Sequence, residues 1–305
     1  MSLTNKTLDD HCKRILLSRR IQNKAVVLCE GDLPPLNLRH SPSAYSRMEV
    51  FPDANFYAAL IQRKQNRPQF FNCGSRNSVI KTFFRLRELH LDDSQSSYLD
   101  PDRLYAIIDC DLHNKNIDDY LFADTEEIRD KLYSGIHINE SNIPQHKIFT
   151  TGLVHKEAYF LLPELQGLFD DSPYTIKYSG SKLNLQTLYT KVINDVPSDS
   201  DIAGNLPIVQ NRLFFNPTID TSSPTKIQSS LTAAMTTATP TQKTELIYSL
   251  LSICKSKPYW KTIQFAAIPV DNLRLKDDFV LSIAKFISKQ SDTRFHLPQI
   301  FASIN

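Results

Sequence analysis

The chain has 305 residues, 41% hydrophobic and 22% charged, with a formal net charge of +2. That length suffices to bury one large or two medium cores, and the composition is that of an ordinary soluble globular protein. No apolar run approaches the ~20 residues needed to span a bilayer, and the first ten residues lack a signal-peptide core, so a cytoplasmic protein with no membrane contact is expected. Near-neutral charge neither supports nor vetoes nucleic-acid binding, because basic patches can be local. The five cysteines are odd in number and scattered, with no Cys-x-x-Cys; reduced thiols are expected rather than disulfides or a zinc site.

In chain order, Lys13, Arg14, Arg19 and Arg20 surround an apolar Ile15-Leu16-Leu17 core and predict an amphipathic helix with one basic face. A solvated flank accounts for that face more simply than phosphate binding. Residues 25–29 are continuously apolar, as suits a strand covered on both faces in a parallel sheet. This strand stops at Glu30, followed by Gly31 and Asp32. The stretch 33–52 carries Pro34, Pro35, Pro42 and Pro52 and reads as a loop. Asp53 then caps a predicted helix over 54–65. A second strand is predicted at 69–72, turning at Gly74-Ser75 into a helix over 78–89. Arg76, Lys81, Arg85 and Arg87 cluster there, where the N–H groups of a helix start favour anions.

A third strand over 104–108 ends in Asp109 and Asp111. If it stays extended through Cys110, residues two apart share a face and both carboxylates lean the same way. A helix over 125–133 opens on the acidic cap Asp124-Thr125-Glu126-Glu127. A fourth strand over 147–151 leads to Glu157, which opens a further helix with Tyr159, Leu161 and Leu162 turned inward. His113 and His155 read as loop-exposed. The alternation predicts an α/β fold with a parallel sheet flanked by helices. Beyond about residue 170 the pattern becomes mainly helical, at 183–192, 244–254 and 278–288. The Ser/Thr/Pro-rich stretch 216–241 reads as a linker, mobile loop or cap region, and Trp260 as a core anchor. With only 7 glycines and neither G-x-G-x-x-G nor a Walker motif, a glycine-rich nucleotide loop is excluded.

In a parallel sheet all strands end on one edge, where open α/β sheets place their ligands. Glu30, Asp109 and Asp111 could therefore converge, and like charges brought together call for a hard divalent cation. Each motif alone has a plainer reading, as a strand-end acid entering a turn.

Glu30-Gly31 and Asp109-Cys110-Asp111 together resemble the two acidic motifs of the Toprim family of topoisomerases, primases and nucleases. Segment 55–60, segment 69–75 and Glu157-Ala158-Tyr159 after the fourth strand are similar to further family elements, so the resemblance covers about the first 170 residues. The last of these elements is similar to that of ATPase-associated Toprim-like proteins, which include the overcoming-lysogenization-defect nucleases and the Toprim effector of the PARIS anti-phage system. The intervening stretch 33–52 departs from the family pattern and reads as an insertion.

The resemblance implies a Toprim-like metal-binding domain over 1–170 and a mainly helical region over 171–305. It implies a nuclease using Mg²⁺ or Mn²⁺ on DNA or RNA, with Glu30, Asp109, Asp111 and Glu157 catalytic. Glu30 would be a metal ligand or the general base, with Asp32, Asp109 and Asp111 completing the metal set. Arg76, Lys81, Lys147 and Lys156 would contact nucleic acid. A separately encoded ATPase subunit and a role as the toxic effector of anti-phage defence follow by the same resemblance. The sequence leaves open a homo-oligomer. Two rivals stand beside this: a non-catalytic Toprim-fold subunit binding nucleic acid or a partner, and a metal-dependent small-phosphate hydrolase.

Overall fold

The computed structural model describes residues 5–33, 52–62, 67–266 and 272–304. In chain order the strands are β1 (Val26–Cys29), β2 (Gln69–Asn72), β3 (Leu104–Ile108), β4 (Tyr133–Ser134), β5 (His137–Ile138), β6 (Ile148–Thr150), β7 (Thr175–Tyr178), β8 (Ser181–Lys182) and β9 (Gln264–Ala266). The chain forms two compact units, each discontinuous in sequence. The first comprises 1–109, 140–150 and 284–305; the second comprises 110–139 and 151–283. The boundary expected near residue 170 falls inside the second.

The first unit is built on a four-stranded, all-parallel sheet in the order β2-β1-β3-β6. All four residues of β1 are buried, which is why its sequence is apolar without alternation. Helices flank the sheet. Arg76–Asp92 buries Val79, Thr82, Phe83 and Leu86, at the i, i+3, i+4, i+7 spacing of one helix face. Asn5–Leu16 packs on that helix and is tied to it by a bidentate pair, Arg85 to Asp9 at 2.7 and 3.0 Å. The Pro52–Ala59 and Leu297–Ser303 helices share an aromatic cluster, in which Phe301 meets Tyr57 and Phe70 edge-on at 5.9 and 5.5 Å. The helix expected over 54–65 thus ends at Ala59; its last predicted residues, 63–65, lie outside the described residues.

The second unit is mainly helical, with the short β4-β5 hairpin and the antiparallel sheet β8-β7-β9. Trp260 anchors its core as expected, meeting Phe160 at 5.0 Å and Phe265 at 5.9 Å. The stretch 216–241 differs from expectation: it contains a regular helix, Pro224–Thr237. Ser223 accepts from the Lys226 N–H, Pro224 takes the first helical position, and Ile227 and Leu231 are buried. Good capping and two well-spaced apolar residues override the weak helix preference of Ser and Thr. All five cysteines are buried and free, and among the described residues no helix is long and apolar enough to cross a membrane.

Candidate active site

The sheet order makes β1 and β3 neighbours although β2 lies between them in sequence. The connection leaving β1 runs to one side and the return to β3 to the other, so their carboxyl ends flank a topological switch point, the place where open parallel sheets form a ligand crevice. Glu30 follows β1 and Asp109 follows β3. The structure brings these two together: Glu30 Oε1 accepts the Asp109 backbone N–H at 2.9 Å. Both side chains are half-buried.

Gly31 turns the chain at this edge. Its φ is +146°, a conformation that side chains rarely adopt. It pairs with Gly74 through two backbone hydrogen bonds of 2.9 and 3.0 Å, linking the ends of β1 and β2. A Cβ at Gly31 would lie 2.3 Å from Asp53 Oδ2 and 2.7 Å from Asn72 Nδ2. Asp53 therefore brings a third carboxylate to the edge from the first turn of the Pro52–Ala59 helix. The sequence reading treated Asp53 as a cap alone. An acid opening the helix that follows Glu30 is its signal in the sequence, with the proline-rich stretch 33–52 standing between the two. Asn72 Nδ2 donates to the Asp32 carbonyl at 3.2 Å, and Asp32 itself is exposed. Arg76 opens the helix leaving this edge, and Lys81 lies further along it, exposed. Arg85 is committed to Asp9 and Glu88, and Arg87 lies over the Phe83 ring at 5.8 Å.

Two expectations are corrected within this unit. Lys147 sits at the opposite edge, just before β6, donating to the Asp102 carbonyl and lying 4.5 Å from the Tyr105 ring centroid. A strand's first residue cannot share the edge where parallel strands end, so Lys147 is not grouped with Glu30. In addition, β3 stops at Ile108, and the extended run through Cys110 on which the same-face argument depended does not form.

Asp111 and Glu157 belong to the second unit. There the Cys110 N–H donates to Thr151 Oγ1 at 2.9 Å, and burial pushes the Cys110 thiol up to about 11 while the Arg212 charge pulls it back. Asp111 Oδ1 lies 3.0 Å from His155 Nε2. His155 is thus mostly enclosed beside an acid rather than loop-exposed, whereas His113 is exposed and 3.4 Å from Asp201. Arg212 and Glu126 form a buried pair; removing one partner of such a pair costs about 3–5 kcal/mol, because the other charge is left uncompensated.

Glu157 stands in the first turn of a helix, as expected, and that helix is of the 3-10 type, Lys156–Leu161. Leu162 precedes Pro163 and is held at ψ 142°, which stops an α-helix from propagating. Glu157 is 6% exposed. Its Oε1 lies 3.8 Å from Lys156 Nζ and 3.9 Å from Lys257 Nζ, and its buried Oε2 has no hydrogen-bond partner. A buried carboxylate oxygen left unmatched is costly and suits an added cation or water.

Among the described residues no group of three or more His, Cys, Asp or Glu side chains is arranged to hold a metal ion. The donors are nevertheless of the kind Mg²⁺ and Mn²⁺ take: carboxylate oxygens at a sheet edge and an orphaned buried carboxylate oxygen. Mg²⁺ commonly keeps several waters and binds through only one or two carboxylates, so acids of this kind suit its chemistry without a closed cage. Set beside known proteins, the chain matches no family model, no curated protein and no solved structure.

Proposed function

We propose that the protein is a Toprim-like, metal-dependent nuclease. The observation that carries this reading is the pair Glu30 and Asp109, joined at the switch point of a parallel sheet. Glu30 and Asp109, with Asp53 beside Gly31, would hold Mg²⁺ or Mn²⁺. A divalent ion there supplies charge to polarise a phosphoryl oxygen and a water of lowered pKa. The chain's own part is orientation: the Asp109 N–H fixes one Glu30 oxygen, and the Gly31–Gly74 bridge fixes the turn beside it. Arg76, at the start of its helix, favours phosphate on the same edge. Within the second unit, Asp111 and Glu157 are proposed as acids of a nuclease, with Lys156 and Lys257 available to a phosphate there. Action as the effector of an anti-phage system, with a separately encoded ATPase, is part of the same proposal.

The test is cleavage of labelled single- and double-stranded DNA and RNA, with EDTA and with added Mn²⁺. Cleavage is expected only with metal, and Glu30→Gln is expected to lower it about 100-fold or more, the scale of losing a pre-positioned electrostatic group. Metal-independent cleavage, or full activity in a folded Glu30→Gln variant, overturns the reading. One rival is a non-catalytic nucleic-acid-binding subunit. That rival predicts nucleic-acid retention in a gel-shift assay with no cleavage at any Mn²⁺ concentration.

A further inference from the structure

We infer that Arg212 is a positioning residue for Asp111. The inference rests on the reading of Asp111 as a working acid, and it concerns the second unit alone.

Arg212 lies on the Leu206–Leu213 helix with its side chain fully buried. A guanidinium has five N–H donors in a rigid fork, and here each has an acceptor. Nε donates to Glu126 Oε2 at 3.3 Å and Nη2 to Glu126 Oε1. Nη1 donates to the Cys110 carbonyl at 2.8 Å and the Ser252 carbonyl at 2.9 Å. Nη2 also donates to the Asp111 carbonyl at 2.9 Å. Glu126, from the Thr125–Leu132 helix, supplies the counter-charge that orients the fork.

Two consecutive carbonyls, those of Cys110 and Asp111, are therefore held by one rigid group. The main chain of Asp111 is fixed on its buried side, while its carboxylate stays 32% exposed and meets His155 Nε2 at 3.0 Å. A pair serving stability alone could bind any free carbonyl. This one grips the peptide units that set where a charged, solvent-reachable side chain emerges. Lysine cannot substitute, since a point ammonium has three donors and no planar fork.

The test compares wild type, Arg212→Lys, Glu126→Gln and Asp111→Asn. Each is measured for melting temperature, the His155 imidazole NMR resonances, and kcat and KM separately. Arg212→Lys is expected to lower kcat about 10- to 100-fold with KM nearly unchanged, the scale of a small misplacement of a reacting group. It should also shift the His155 resonances. Glu126→Gln, which keeps the guanidinium and its carbonyl acceptors, should move the same readouts in the same direction by less, and it decides the matter if Arg212→Lys does not fold. A folded variant with a lower melting temperature but unchanged His155 resonances and kcat overturns the inference. Full activity in Asp111→Asn removes Asp111 from the mechanism and takes the catalytic meaning of Arg212 with it. Shifted His155 resonances in Arg212→Lys or Glu126→Gln, with no cleavage by the wild-type protein, would leave the clamp standing and refute only the nuclease.

Discussion

Gly31 carries more of the candidate site than its lack of a side chain suggests. Its φ of +146° places the backbone where Asp53 and Asn72 close over it. Gly31→Ala meets two obstacles. The conformation is strained for an L-residue, by about 1–3 kcal/mol, and the new methyl would fall 2.3 Å from Asp53 Oδ2. We expect a loss of about 2 kcal/mol or more in urea denaturation, together with displacement of Asp53 from the edge. A Gly31→Ala protein as stable as wild type would show that this turn tolerates a Cβ. The acids themselves need no such conformation, which is why they were easier to find. Glu30 and Asp109 each end a plainly apolar strand, whereas Asp53 meets Gly31 only in space. Lys147 misled for the converse reason: nearness in sequence to a strand says nothing about which end of that strand it occupies.

At the scale of elements, the Pro224–Thr237 helix depends on its cap. Ser223 Oγ accepts from Lys226 N at 3.2 Å, and only two residues of this helix are buried. Ser223→Ala should therefore cost about 1 kcal/mol, read as a lower denaturation midpoint, and Ser223→Asn should restore it. An unchanged midpoint in the alanine variant would mean that packing alone holds the helix. The four parallel strands were legible because strands covered on both faces become continuous apolar runs. The expected α/β class and the parallel sheet follow from those runs, and the expected helices over 78–89 and 125–133 overlap observed ones at Arg76–Asp92 and Thr125–Leu132. The second unit was less legible. The β4-β5 hairpin has two residues per strand, β7 to β9 are short and partly exposed, and a Ser- and Thr-rich helix carries little apolar periodicity. Composition at 216–241 recorded its polar surface and not its caps.

At the scale of the whole molecule, the chain passes between the two compact units at residues 109/110, 139/140, 150/151 and 283/284. A fragment of residues 1–170 holds all four parallel strands but lacks the Leu297–Ser303 helix, whose Phe301 packs against Tyr57 and Phe70. Removing a buried aromatic costs about 3–5 kcal/mol, a large share of a domain's 5–15 kcal/mol. The fragment is expected to lose its near-ultraviolet circular dichroism and to aggregate; a cooperative thermal transition in it would mean that the first unit does not need that helix. The same connectivity bears on time. Contacts between residues far apart in sequence form late, since loop closure must precede the reward. During synthesis Tyr57 and Phe70 emerge long before Phe301, so the aromatic face waits uncovered while the intervening residues are made. An uncovered apolar face of this kind is prone to aggregation through that interval, and it gains its cover only after the whole of the second unit, which ends at residue 283, has been translated.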